Sequence, residues 1–126
     1  MRESIVTLFK DKFNIPLYQG MTPEQTEYPV GAYAIADDIS IKELDGNGVT
    51  SREVIFDVDL VCNNINEVDL YRAMLIDLSG KKSHRWPDLF QLMIVRSMED
   101  VGPLLGVTTD ADNPPQILAM RLSFFQ

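Results

Sequence analysis

The residues Glu53–Cys62, EVIFDVDLVC, decide the fold because apolar side chains occupy every second position along them. Successive side chains of a β-strand point to opposite faces of the sheet, so this alternation predicts a long strand with two different faces. One face is apolar throughout and consists of Val54, Phe56, Val58, Leu60 and Cys62. The other face is mixed and consists of Glu53, Ile55, Asp57, Asp59 and Val61. We therefore expect the first face in a hydrophobic core and the second partly acidic and open to solvent.

Two shorter strand patterns precede this segment. Val30–Ala36 (VGAYAIA) alternates large and small side chains, and Ile39–Leu44 (ISIKEL) alternates over its whole length. The stretch Asp45-Gly46-Asn47-Gly48 follows directly, and Gly and Asn adopt the positive φ angles of tight turns at little cost. We therefore interpret Ile39–Leu44 and Glu53–Cys62 as the two strands of a hairpin.

Two segments have the spacing of amphipathic helices. In the first, Ser4 is a suitable N-cap, Asn14 and Pro16 end the helix, and the apolar face consists of Ile5, Leu8, Phe9 and Phe13. The second helix starts at about Asn66, a possible N-cap, and ends at Gly80. Its apolar face consists of Val68, Tyr71, Leu75 and Leu78, widened by Leu70, Met74 and Ile76.

The remaining segments complete a prediction of fold class. Leu17–Pro29 and Val101–Pro115 are rich in Gly and Pro and predict loops. Leu89–Met98 is typical of a strand buried on both faces, and Ile117–Phe125 alternates as a final strand. We therefore predict one α+β domain over residues 1–126, in the order α-β-β-β-α-β-β. Its mainly antiparallel sheet of about four to five strands would pack against two helices.

The composition narrows the classes of function. The chain has 126 residues, one cysteine and a formal charge of −8 at pH 7. Proteins bind nucleic acids mainly through Lys and Arg, so an acidic chain of this kind is not expected to bind DNA generally. Its apolar runs, such as Leu92–Val95, are far shorter than the roughly 20 residues of a membrane span. We therefore expect a soluble protein with no membrane partner and no internal disulfide.

Residues that could carry chemistry are few. Cys62 lies on the apolar side of its strand, where a thiol behaves as a small hydrophobic group. His84, the single histidine, lies in a basic segment and is expected to be a solvated surface residue. The stretch Asp110-Ala111-Asp112-Asn113 begins like a calcium loop, but Pro115 and Arg121 occupy the positions where the loop needs Gly and an acid. We therefore expect no catalytic residue, no cofactor and no metal.

Asp57 and Asp59 are the best candidates for an enzymatic alternative. Carboxylates two residues apart on a strand are separated by about 7 Å, which suits the carboxylate pair of a glycosidase or a metal site. Glu53 lies on the same face. The simpler interpretation is an exposed acidic sheet face, but a small carboxylate-dependent hydrolase remains an alternative.

A basic segment contrasts with this acidic face. It contains Lys81, Lys82, His84 and Arg85 next to Trp86. The segment could touch phosphate, but in an acidic chain it fits an acidic surface of a protein partner better. A molecule with one acidic and one basic surface can bind copies of itself head to tail, and such contacts close into rings.

The order of these features resembles the tail-terminator, or tail-completion, proteins of tailed bacteriophages. The resemblance extends from Ile5 to about Phe125 and is carried by four segments, namely Tyr28-Pro29-Val30-Gly31-Ala32-Tyr33, Leu44-Asp45-Gly46, the strand Val54–Leu60, and the helix Glu67–Leu75 with Leu78 and Gly80 behind it. The Asp- and Pro-rich segment Asp110–Pro115 departs from the family pattern.

This resemblance implies a structural virion protein without enzymatic activity. It would be assembled in the host bacterial cytoplasm and located in the tail-neck region. There it would form a ring, commonly a hexamer, that caps the tail tube and contacts the head-tail connector proteins. DNA would pass through the lumen without specific binding, past acidic residues drawn from Asp37, Asp38, Glu53, Asp57 and Asp59. The interface between subunits would include Lys81, Lys82, Arg85 and Trp86. Another phage neck or head-completion adaptor is the alternative within the same class.

Overall fold

The computed structural model describes residues 2–20, 27–42, 49–80, 92–103 and 115–125. Within these ranges it contains two helices and one five-stranded sheet, which confirms the predicted α+β class. The elements are α1 (Arg2–Phe13), β1 (Leu17–Gln19), β2 (Val30–Lys42), β3 (Val49–Cys62), α2 (Ile65–Leu78), β4 (Leu92–Pro103) and β5 (Gln116–Phe125). The strand order in the sheet is β1-β2-β3-β5-β4. Neighbouring strands are antiparallel except β1 and β2, which are parallel.

Strand β3 lies in the middle of the sheet, and its apolar face forms the core as predicted. Val54, Phe56, Val58, Leu60 and Cys62 are each at most 1% exposed. Across the β3–β5 pair, the buried apolar side chains of β5 lie opposite them, namely Leu118, Met120, Leu122 and Phe124. The rings of Phe56 and Phe124 meet edge to face at 5.4 Å. Both helices contribute buried residues to this same cluster, so they cover one face of the sheet only.

Helix α1 buries the predicted face, but its boundaries differ from the sequence pattern. It begins at Arg2, so Ser4 is inside the helix and is not its N-cap. The helix ends where predicted, because Asn14 adopts a positive φ of 55°. Two backbone hydrogen bonds close this end, from Asn14 N–H to Lys10 C=O (3.0 Å) and from Ile15 N–H to Phe9 C=O (3.1 Å).

The segment after α1 is not wholly a loop, because β1 pairs with β2 at Gly31–Tyr33. Gly31 N–H donates to Pro16 C=O (3.0 Å), and Gly20 N–H donates to Tyr33 C=O (2.9 Å). A side chain at Gly31 would collide with Leu17 and Leu60, so glycine allows β1 to approach this closely. A strand of three residues is too short to show a period in the sequence.

The two predicted strands before β3 are one continuous strand, β2, with a bulge at Ala36. The predicted hairpin is confirmed, since Ile39 lies opposite Glu53 in the antiparallel β2–β3 pair. The turn Asp45-Gly46-Asn47-Gly48 lies outside the described residues. Beyond the bulge, Asp37 lies opposite Ile55 and Asp38 lies opposite Val54, so the two aspartates point to opposite faces.

Helix α2 is capped by Asn64 and not by Asn66, because the Asn64 side chain accepts a hydrogen bond from Glu67 N–H at 3.0 Å. Val68 and Leu75 are buried as predicted. The predicted widening of the apolar face is wrong at two positions, since Leu70 and Ile76 are 55% and 56% exposed. Gly80, with φ of 80°, follows the helix end as predicted.

Strand β4 is an edge strand and is not buried on both faces, which corrects the prediction for Leu89–Met98. Met93 is its fully buried side chain. Ser79 and Gly80, directly after α2, lie next to β4, where Gly80 N–H donates to Met93 C=O (2.8 Å) and Val95 N–H donates to the Ser79 hydroxyl (2.9 Å). Residues 101–103, predicted as the start of a loop, continue this strand.

Candidate functional site: the open sheet face

The face of the sheet opposite the helices carries most of the described charged side chains of β3, β4 and β5, and we call it the open sheet face. Among the described residues, five carboxylates and two arginines belong to it, assigned by the strand register and, for Arg96, by its hydrogen bond to Glu53. The carboxylates are those of Asp37, Glu53, Asp57, Asp59 and Glu99. The guanidinium groups are those of Arg96 and Arg121. The described part of this face therefore has an excess of three negative charges.

Asp57 and Arg121 form a two-point ion pair at the centre of this face. They lie directly opposite each other in the β3–β5 register. Arg121 Nε and Nη2 donate to the two carboxylate oxygens of Asp57 at 2.8 and 3.1 Å. This hydrogen bonding raises the pKa of the Arg121 guanidinium further above its ordinary value. Because both side chains are about half exposed, the pair fixes the position of the charges more than it stabilises the fold.

A second group links three strands through Glu53, Arg96 and Ser123. Arg96 Nη2 donates to Glu53 Oε1 at 2.8 Å, and Arg96 Nε donates to the Ser123 hydroxyl at 2.8 Å. The same hydroxyl, which is fully buried, donates to Glu53 Oε1 at 3.0 Å. The Arg96 guanidinium also lies 5.8 Å from the centroid of the Phe125 ring. The β-bulge of β4 at Arg96 brings this side chain to the open face.

Asp59 and Glu99 lack such partners among the described residues. They lie on either side of Ala119, in one row across β3, β5 and β4. Together with Asp57, Ser97 and Arg121 they line a depression of about 350 Å³. Burial, and secondly the charge of Asp57, raise the pKa of the Asp59 carboxyl above its ordinary value. Within the described ranges, Asp59 and Glu99 therefore carry their negative charge without an ion pair, although Arg121 lines the same depression.

This geometry bears on the enzymatic alternative. Asp57 and Asp59 do lie side by side on an exposed face, as their spacing predicts. A carboxylate pair in a hydrolase needs one group free to act as a base or nucleophile and one to hold a proton. Here both oxygens of Asp57 accept hydrogen bonds from Arg121. The Asp57 carboxylate thus serves to join β3 to β5. Of the two aspartates, it is Asp59 whose carboxyl has a raised pKa.

Asp38 does not share this face. It lies on the helix side of the sheet, where Arg52 Nε and Nη2 donate to its carboxylate at 2.8 and 2.5 Å. The hydrogen bonds from Arg52 lower the pKa of the Asp38 carboxyl. The grouping of Asp37 with Asp38 is therefore corrected, since Asp37 alone accompanies Glu53, Asp57 and Asp59.

The other sequence candidates are buried or lie outside the described residues. The Cys62 side chain is 0% exposed, and burial raises the pKa of its thiol to about 12, so it is poorly suited to act as a nucleophile. His84, the basic segment Lys81–Trp86 and the stretch Asp110–Asn113 lie outside the described ranges. Within those ranges, no group of three or more His, Cys, Asp or Glu side chains could hold a metal ion. The described helices also include none with the length and apolar character of a membrane span.

Sequence reasoning missed the arginines. Arg121 alternates with the apolar residues of its strand, so its place on the non-core face could have been read from the sequence. Its pairing with Asp57 depends on the β3–β5 register, and the position of Arg96 depends on a bulge. In comparisons with known proteins, neither a protein-family model nor a curated protein matches the chain.

Proposed function

We propose that this chain is a structural subunit that assembles head to tail into a ring, of six copies by analogy, at the end of a bacteriophage tail tube. The ring joins the tube to the head, and its partners are the tube protein and the head-tail connector proteins. The resemblance in the order of elements to tail-terminator proteins is the basis of this proposal. The α+β fold, in which the two described helices cover one face of the sheet only, is compatible with it.

The observation that carries the proposal is the charge of the open sheet face. Its described part has five carboxylates and two arginines, and both arginines are paired with carboxylates. If this face lines the lumen, it repels the phosphates of DNA, and the DNA passes through without being held. A binding protein for DNA would need the opposite sign of charge.

The surface between subunits is the second part of the proposal. The basic segment with Lys81, Lys82, Arg85 and Trp86 contacts an acidic surface of the neighbouring copy. A contact between two different surfaces is heterologous, and repeated around an axis it closes into a ring.

Native mass spectrometry and negative-stain electron microscopy test this function on the 126-residue chain, alone and with a purified tail-tube protein. The expected result is a ring of discrete subunit number with a central opening wide enough for duplex DNA. A monomer at all concentrations that does not bind the tube contradicts the proposal. A ring with the open sheet face on its outer wall contradicts the assignment of the lumen.

A further inference from the structure

We infer that Glu53 and Asp57 keep Arg96 and Arg121 from binding the phosphates of DNA. The inference rests on the proposed function, in which the open sheet face lines a channel for DNA. It assigns these two carboxylates a role beyond their negative charge, because Asp57 accepts two hydrogen bonds from Arg121 and Glu53 accepts one from Arg96.

The geometry of the Asp57–Arg121 pair carries the argument. A guanidinium group recognises carboxylate and phosphate in the same way, by two parallel N–H donors aimed at two oxygens. In Arg121 these donors are Nε and Nη2, and both point to Asp57 at 2.8 and 3.1 Å. A phosphate that approaches Arg121 at this edge must therefore displace a carboxylate that already fits.

Arg96 is occupied in a different way. Its Nη2 donates to Glu53, and its Nε donates to Ser123, which itself donates to Glu53. The face of the guanidinium lies near the Phe125 ring. Two of its donors and one of its faces are thus engaged within the protein.

Pairing the arginines with carboxylates has two effects on the open sheet face. Carboxylates alone would repel one another across neighbouring strands, and the cross-strand arginines reduce that repulsion. Free arginines in a channel would bind the DNA that has to move through it. Pairing each arginine with a carboxylate joins the strands, while Asp59 and Glu99 keep the face negative.

The test compares variants that change the charge of the face equally. Glu53→Gln/Asp57→Asn removes two negative charges and breaks both ion pairs, so each arginine loses its anionic partner. The control, Asp59→Asn/Glu99→Gln, also removes two negative charges from this face but leaves both arginine pairs intact. Asp57→Asn alone serves as a milder variant, because the pair it breaks is half exposed and lies outside the core. Circular dichroism and thermal melting verify the fold of each variant.

Binding of a fluorescent DNA duplex is measured by anisotropy over a range of salt concentrations. We expect the first variant to bind DNA at least roughly tenfold more tightly than the unmodified chain, with a salt dependence steeper by about 2 in a log–log plot, because two phosphate contacts are added. Asp57→Asn alone should add about 1 to that slope. The control should gain less affinity and keep its slope.

Equal gains in the two double variants overturn the inference, because binding then follows net charge and not released guanidinium groups. No gain in any variant overturns it as well. Ring formation is measured separately, by native mass spectrometry. A chain that forms no ring is thereby distinguished from a chain in which the two carboxylates do not keep the arginines from binding phosphate.

Discussion

Asp57 on β3 and Arg121 on β5 lie directly opposite each other in the sheet and share two hydrogen bonds, of 2.8 and 3.1 Å. The pair unites a residue that the sequence marks as acidic surface with one that the sequence analysis did not single out. It shows that the acidic face of β3 is partly neutralised from the next strand. The charge that remains belongs mainly to Asp37, Asp59 and Glu99.

Two leucines of α2 provide a matched test of the packing. Leu75 is fully buried and Leu70 is 55% exposed, although both fit the apolar pattern of the helix. Leu75→Ala should lower the free energy of unfolding by about 2–5 kcal/mol, because it leaves a cavity in the core. Leu70→Ala should change it by less than about 0.5 kcal/mol. Urea unfolding followed by circular dichroism measures both, and similar losses would show that α2 packs through a different face.

The pH dependence of stability should differ in sign between Asp59 and Asp38. The pKa of the Asp59 carboxyl is raised by burial, so its ionised form is penalised in the folded state. Asp59→Asn should therefore be more stable than the unmodified chain at about pH 7. This advantage should disappear as the pH falls below the ordinary pKa of aspartate, about 3.9, where the carboxyl is protonated in both states.

Asp38 provides the opposite case. Hydrogen bonds from Arg52 lower the pKa of its carboxyl, so its ionised form stabilises the folded state above the ordinary pKa. Asp38→Asn should be less stable near pH 7, and the difference should vanish as the pH falls through the lowered pKa. Urea midpoints at several pH values measure both variants. If both variants were more stable, or both less stable, than the unmodified chain near pH 7, the burial of Asp59 or the ion pair of Asp38 would be contradicted.

The thiol of Cys62 should be inert in the folded protein. It is buried, and burial raises its pKa to about 12, so almost none of it is thiolate near pH 8. Reaction with a chromogenic disulfide reagent should be slower than in the urea-unfolded chain by more than about a hundredfold. Rapid labelling of the folded protein would indicate that β3 opens or that Cys62 faces solvent.

Assembly should depend on the basic segment after α2. Lys81→Ala/Lys82→Ala, extended by Arg85→Ala, should weaken ring formation, and it should do so most at low salt, where charges are least screened. Lys10→Ala/Lys12→Ala is the control, because it removes two exposed charges from α1. Analytical ultracentrifugation at several salt concentrations gives the subunit number. Equal assembly of all variants at every salt concentration would exclude this segment from the interface.

Local patterns in the sequence were sufficient for the elements with a clear period. The alternation in β3 predicted its core face, and the spacing of Ile5, Leu8 and Phe9 predicted the buried side of α1. The other face of β3 was predicted less well, since Val61 is also buried. These predictions succeed because a strand and a helix each impose one geometry on neighbouring residues. The α+β class follows from the order of such elements.

Features that depend on a partner distant in the chain could not be predicted in this way. Strand β1 packs closely on β2 at Gly31, where a Cβ atom would meet the Leu17 side chain. In the described sheet β4 has only β5 as a neighbour, so it is an edge strand with mostly half-buried or exposed side chains. An apolar stretch such as Leu92–Val95 can form either an edge strand or a central strand, and its amino-acid sequence is apolar in both cases. The burial of a strand depends on its position in the sheet, and the local sequence pattern does not predict that position.

The amino-acid sequence by itself determined that β3 has an apolar and an acidic face, because side chains alternate along any extended chain. Only the tertiary structure decided which charges on that face have partners. The β3–β5 register places Arg121 on Asp57, and the bulge in β4 brings Arg96 to Glu53. An ion pair between strands requires contact within a few ångströms, and residues 57 and 121 meet only when the sheet is formed.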